Sequence, residues 1–195
     1  MCIRDRSCEL DPIPTHLLKE VLSEVLPFIQ LMCNQSITTG SVPISQKRAL
    51  VTPRLKKPGM DVEDPASFRP VSNISFMSKI VERIVAGRLL TYLKVNNLLP
   101  RFQSGFRSGH STETLLIRLL SDFHQAMDTG RVTLLALLDV SAAFDTVDFD
   151  ILIQRLSKSF GIEARALSWF DSFLHERSSS IQIGSARTPW FPVLY

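Results

Sequence analysis

A run of apolar residues that ends in a carboxylate constrains the fold of this chain more than any other feature. Residues 134–138 read LLALL, and Asp139 follows them directly. The run is too short to span a membrane, and we interpret residues 132–139 as a β-strand buried on both faces. Asp139 would then lie where a buried strand ends at a solvent-filled cleft. Phosphoryl-transfer sites hold a magnesium ligand in this way.

The structural alternative for Asp139 is an ordinary one. An aspartate that follows a strand is more often a turn residue or the N-cap of a helix. The segment after it, SAAFDTVD, contains two further carboxylates, Asp145 and Asp148. We interpret these two as caps or structural acceptors rather than metal ligands, which leaves Asp139 as the candidate ligand of this segment.

The charges of the chain are unevenly distributed. Residues 41–120 contain 13 Lys and Arg against 5 Asp and Glu, whereas residues 121–195 contain 6 against 9. A basic segment followed by an acidic one that contains Asp139 suits a protein that contacts phosphates and binds divalent cations. A charged surface that is merely solvated is the alternative.

The overall composition excludes several classes of protein. With 195 residues and 45% hydrophobic content, the chain can form one sizeable core or two small subdomains. Its three cysteines (Cys2, Cys8 and Cys33) lack paired or metal-ligand spacing, which favours a reducing compartment. No uncharged apolar stretch approaches ~20 residues, so we expect no membrane contact. Residues 1–11 are interpreted as a non-native or disordered leader outside the fold.

Periodicity and turn residues predict a mixed α/β fold. Thr15 is the predicted N-cap of a first helix, which Pro27 should end or kink, and a second helical stretch should end at Gly40. The other predicted elements are a basic hairpin around Pro58-Gly59, a long helix at 75–95, a loop at 103–110, a helix at 111–127, a helix capped by Asp148, a helix at 163–175 and a strand at 179–183.

Four segments of the chain carry a family resemblance. In order, they are ALVTPRLKKPG, SFRPVSN, LPRFQSGFRSGHST and LLALLDVSAAFDTVD. Together they resemble the reverse transcriptase domain of non-LTR (LINE-type) retrotransposons, from about residue 12 onwards. The resemblance implies a partial right-hand polymerase fold, with fingers at 12–110 and a partial palm at 111–195. It further implies an RNA-directed DNA polymerase (a nucleotidyltransferase) with two magnesium ions, located in the cytoplasm and nucleus. Its partners would be an RNA template, a DNA primer and dNTPs.

The resemblance also implies roles for residues of the presumed palm. Asp139 matches the aspartate that binds both magnesium ions, and Val140 would offer its backbone carbonyl to one of them. Phe144 matches the aromatic residue that excludes ribonucleotides, with ordinary core packing as the alternative.

The fingers that the resemblance implies would supply the residues that contact phosphates. Arg69 matches the arginine that binds the incoming triphosphate, and either Lys56 or Lys57 would add a point charge. Arg54 falls where relatives often have an apolar residue, so its role is left open. A loop would contact template or primer, through phosphates rather than bases, with Gln103, Gly105 and Arg107.

The sequence departs from the family pattern after the first palm motif. A PQG-type motif, a pair of adjacent aspartates and the thumb are all missing from the 195 residues. We therefore expect a polymerase fragment that is inactive alone. The alternatives are a non-catalytic module that binds RNA or an RNA–DNA hybrid, and an unrelated magnesium-dependent phosphohydrolase built around Asp139. The oligomeric state is left open.

Overall fold

The computed structural model describes residues 8–11, 13–140, 143 and 146–193. The helices of this part are α1 (Thr15–Glu20), α2 (Leu22–Thr39), α3 (Phe76–Val95), α4 (Thr112–Asp128), α5 (Phe149–Lys158) and α6 (Ala164–Leu174). Its strands are β1 (Arg48–Leu55), β2 (Phe68–Asn73), β3 (Ser178–Ile183), β4 (Ala186–Arg187) and β5 (Phe191–Pro192). None of these helices is long and apolar enough to cross a bilayer.

A mixed sheet confirms the predicted α/β class. The strands lie in the order β2-β1-β3-β4, and β5 also pairs with β3. β1 runs antiparallel to β2 and parallel to β3, with Arg48 opposite Ser178. A parallel neighbour distant in sequence explains why β1 is buried where the two strands pair, at Ala49 and Leu50.

The core packs helices α2, α3 and α6 together. Its buried members are Ile29, Cys33, Val42, Val81 and Trp169. The Trp169 ring stacks on Phe173 with 5.2 Å between ring centroids, and Trp169 Nε1 donates to Ser36 Oγ at 3.0 Å. Ser36 Oγ in turn donates to the Ser41 carbonyl at 2.7 Å, so the polar atoms of this core are paired.

An ion pair and a hydrogen bond connect parts of unit 1 that are distant in sequence. Lys47 is buried, and its Nζ lies 3.2 Å from Glu176 Oε2 in the turn between α6 and β3. Residues 8–11, which the sequence assigns to the leader, contact the fold through Asp11, whose Oδ1 accepts the Phe76 N–H at 2.7 Å. Cys8 and Cys33 are buried free thiols.

The chain divides into two compact units. Unit 1 comprises residues 1–90 and 145–195, and unit 2 comprises residues 91–144. The boundary between the two units is set by which residues pack together, and it lies within α3. The fingers and palm boundaries predicted from the sequence stay a prediction.

The predicted strand at 132–139 is wrong. Residues 131–140 belong to no helix or strand, and Leu134, Leu137 and Leu138 are 94%, 84% and 95% exposed. A strand buried on both faces needs neighbouring strands for its backbone groups and a layer over each face. In the part of the chain that the structure describes, no strand pairs with this segment.

The predicted helix end at Pro27 is also wrong, whereas a kink at Pro27 stays a prediction. Pro27 lies inside the continuous helix α2, and the break between helices falls at Val21 instead. A proline inside a helix removes one backbone hydrogen bond, and burial of Ile29, Cys33 and Ser36 along α2 offsets this loss. Pro14 rather than Thr15 is the N-cap of α1.

The other predicted helices and turns are confirmed. α3 spans the long apolar stripe, and α4 begins at Ser111, whose hydroxyl accepts the Thr114 N–H in a capping box. Asp148 caps α5, with its Oδ1 accepting the Ile151 N–H at 2.9 Å. Its structural role is therefore the one expected.

We expect Gly40→Ala to lower the free energy of unfolding by about 2–4 kcal/mol, as measured by urea denaturation. Gly40 ends α2 at φ +68°, and a Cβ placed there would lie 2.8 Å from the Arg165 carbonyl oxygen. The matched control is Gly59→Ala, at φ +83° with no heavy atom within 4 Å of the added Cβ. Gly59→Ala should lower the free energy of unfolding only by the cost of the left-handed backbone conformation, about 1 kcal/mol. Equal losses for the two variants would contradict the steric argument.

Candidate nucleic-acid interface

Four cations on the β1–β2 hairpin form the strongest candidate site in unit 1. We call Arg54, Lys56, Lys57 and Arg69 the hairpin cations; all four are exposed. Arg54 lies directly opposite Arg69 in the antiparallel register, which puts both side chains on one face of the sheet. Within the described residues, none of the four makes an ion pair or a side-chain hydrogen bond.

Hydrogen bonds of the backbone shape the tip of the hairpin. The Lys56 N–H donates to the Ser67 carbonyl at 2.9 Å. Asp61 and Asp64 accept backbone N–H groups of the tip itself, each at 2.9 Å. These two carboxylates are therefore used in turn formation and leave the cations unpaired, although the tip as a whole contains nearly as many acidic as basic residues.

The pairing of Arg54 with Arg69 has an electrostatic consequence. Like charges directly opposite in a sheet destabilise it by a few tenths to ~1 kcal/mol. A bound anion removes this repulsion, and two planar guanidinium groups match the oxygens of phosphates. The sequence alone leaves the role of Arg54 open, whereas the strand register places Arg54 beside Arg69.

The loop between α3 and α4, in unit 2, contains three further predicted contact residues. Arg107 Nη1 donates to the carbonyls of Pro100 at 3.3 Å and Gln103 at 3.5 Å. Gln103 Nε2 donates to the Gly105 carbonyl at 3.1 Å. These bonds show that Gln103, Gly105 and Arg107 take part in hydrogen bonds within the loop. Their contact with nucleic acid stays a prediction.

Asp139 and Val140 lie on the exposed segment that follows α4. The Asp139 Oδ1 accepts the N–H of Val140 at 2.9 Å, and Val140 is 66% exposed. Among the residues that the structure describes, no three His, Cys, Asp or Glu side chains cluster as metal ligands would. Magnesium requires several oxygen ligands in near-octahedral geometry, so the described residues around Asp139 do not by themselves form a complete site.

A cleft shared by Asp139, Phe144 and Arg69 stays a prediction. Phe144 and Asp145 lie outside the described residues. Asp139 belongs to unit 2 and Arg69 to unit 1, and each unit is described by itself.

Comparison with known proteins identifies the family of the chain. The family model described as reverse transcriptase (RNA-dependent DNA polymerase) matches residues 55–191. Similar proteins of Drosophila melanogaster are the probable RNA-directed DNA polymerase from transposon BS, 31% identical over 91% of this chain, and the RNA-directed DNA polymerase from mobile element jockey, 28% identical over 94%. A third, the probable RNA-directed DNA polymerase from transposon X-element, is 31% identical over 70%.

The chain spans about a fifth of the length of the first two of these curated relatives, 19% and 20%. The third match covers 15% of its relative. The matched region includes most of the hairpin cations, the loop between α3 and α4, and Asp139. The family match excludes the alternative that the chain is an unrelated phosphohydrolase. The chain belongs to the reverse transcriptase family, as a segment of the non-LTR retrotransposon type that its sequence motifs resemble.

Proposed function

We propose that this chain forms the nucleotide- and template-binding part of an RNA-directed DNA polymerase. The observation that carries the proposal is that Arg54 and Arg69 lie opposite each other on the hairpin of a reverse transcriptase segment, with no partner for either guanidinium group among the described residues. Arg69 donates hydrogen bonds to the incoming triphosphate, and Arg54 binds an adjacent phosphate oxygen. Lys56 and Lys57 add charge at the tip.

The proposed partners of the complete protein are an RNA template, a DNA primer and dNTPs, and its proposed location is the cytoplasm and nucleus. Its proposed cofactor is magnesium, with the Asp139 carboxylate and the Val140 carbonyl as the ligands supplied by this chain. One carboxylate does not make a magnesium site. The chemical contribution of the described residues is therefore to hold and orient phosphates.

A second candidate function is a non-catalytic module that binds RNA or an RNA–DNA hybrid. The exposed carboxylate of Asp139, which among the described residues accepts a hydrogen bond from the adjacent Val140 N–H and from no other donor, favours it. The two candidates share the phosphate contacts and differ in whether a nucleotide is transferred.

We expect the chain to bind homopolymeric RNA with an affinity that falls steeply as salt rises, because phosphate contacts release counterions. Replacing Lys56, Lys57 and Arg69 together by glutamine should reduce the slope of log K against log salt by about 2, from ~0.7 for each phosphate contact. Adding Arg54→Gln should reduce it by ~0.7 more. Fluorescence anisotropy titrations at several salt concentrations measure these slopes.

The matched control replaces Arg155, Lys158 and Arg165, three exposed cations of α5 and α6, by glutamine. It removes the same charge and should leave the slope nearly unchanged. A flat salt response of the original chain would contradict nucleic-acid binding. Equal effects of the two triple variants would show that binding depends on net charge and not on the hairpin.

A further inference from the structure

Phe102, in the loop between α3 and α4, lies at the surface close to two arginines. The Arg118 guanidinium carbon is 4.3 Å from the centroid of the Phe102 ring, and that of Arg101 is 5.4 Å away. Both distances fall within the range of cation–π contacts. Despite them, Phe102 remains 65% exposed. The ring therefore has two cations beside it and still offers aromatic surface to a ligand.

The aromatic rings of this loop are not needed to hold its conformation. Phe106 is 94% exposed and adopts φ +57°, a conformation that is uncommon for a bulky side chain. The internal hydrogen bonds of Arg107 and Gln103 hold the loop without either ring. Two aromatic rings thus face solvent on a loop that other residues stabilise.

The charges around Phe102 favour a polyanionic ligand. Residues 91–118 of unit 2 contain four cations and one carboxylate, Glu113, and Asp122 follows one helical turn after Arg118 in α4. A hydrogen bond with the Ser111 side chain, and then one with its own backbone, lowers the pKa of Glu113. Guanidinium groups beside an exposed ring can donate to phosphates while the ring contacts a base. An uncharged apolar partner would gain nothing from them.

We propose that Phe102, with Arg118 and Arg101, stacks on an unpaired base of single-stranded RNA and that the two arginines contact its phosphates. In a duplex the bases already stack on one another, so an exposed ring finds no free base face there. Stacking of this kind tolerates any base, as a template contact must. The proposal rests on the proposed function and gives Gln103 and Arg107 the role of fastening the loop.

The test compares Phe102→Leu with the original 195-residue chain for binding to a fluorescein-labelled oligouridine of about 20 nucleotides. We expect about tenfold weaker binding, since base–aromatic stacking is lost. Binding to an RNA duplex of the same length should change less than about twofold. The matched control is Phe28→Leu, which alters a 72% exposed phenylalanine of α2 and should leave binding to both RNAs unchanged.

A second variant, Phe102→Trp, keeps a ring at the position. It should retain oligouridine binding, and the added tryptophan fluorescence should be quenched by stacked bases. Binding by the original chain that Phe102→Leu does not weaken would overturn the stacking proposal and leave the proposed function standing. Loss of affinity for duplex and oligouridine alike would also overturn it. If the original chain binds neither RNA, the proposed function fails as well.

Discussion

A polypeptide of these 195 residues is expected not to extend a DNA primer on an RNA homopolymer template with dNTPs and magnesium. Asp139 is the only candidate magnesium ligand among the described side chains, and no three His, Cys, Asp or Glu of that part of the chain cluster as a magnesium site would require. Removing a single electrostatic group from an active site commonly costs 10²–10³ in rate, so a largely missing ligand set should put extension below detection. Incorporation of a labelled dNTP measures it, with a complete reverse transcriptase as the positive control.

The informative variant in this assay is Asp139→Ala. Primer extension by the original chain that disappears in Asp139→Ala would show that the ligands present are sufficient. Extension that persists in Asp139→Ala would place the catalytic residues elsewhere. Either result would contradict the expectation, whereas RNA binding without extension agrees with it.

Trp169→Ala is expected to lower the free energy of unfolding of unit 1 by about 3–5 kcal/mol. Trp169 is 4% exposed, stacks on Phe173 and donates to Ser36 in the centre of the core. The substitution leaves a cavity and removes the hydrogen bond that Ser36 Oγ accepts, and a loss of this size is a large part of the stability of a domain. Urea denaturation monitored by far-ultraviolet circular dichroism measures it.

The other tryptophan of the chain provides the matched control. Trp190 is 37% exposed, with the guanidinium carbons of Arg48 and Arg187 at 5.3 and 4.8 Å from the centroid of its ring. Trp190→Ala removes cation–π contacts at the surface and should cost only about 1–2 kcal/mol. Equal losses in the two variants would mean that the core does not depend on Trp169.

The helices of this chain could be predicted because the interactions that form them are local. The apolar stripe of α3 and the caps at Ser111 and Asp148 involve residues within a few positions of one another. The segment at 132–139 could not be predicted in this way. Its apolar composition is compatible with a buried strand, but burial depends on neighbouring strands that composition does not supply.

The candidate site shows the same limit. Arg69, Lys56 and Lys57 could be found from the motifs, but the register that places Arg54 opposite Arg69 could not. The segment between β1 and β2 runs over residues 56–67, too long for a defined turn type to set the pairing. One pattern in the sequence points to Phe102: it is an aromatic residue beside an arginine in a Gly- and Ser-rich loop. Arg118 reaches it from the next helix.

The parallel pairing of β1 with β3 determines the order in which a newly synthesised chain can fold. The Val42 N–H donates to Ser172 Oγ across 130 residues, and Leu50 pairs with Ser180. On the ribosome, β1 therefore emerges long before the strand that completes its hydrogen bonding. Closing so long a loop adds little entropic cost per residue, but contacts of this sequence separation form slowly. Unit 2, at residues 91–144, is synthesised entirely within that interval, before the second segment of unit 1, residues 145–195.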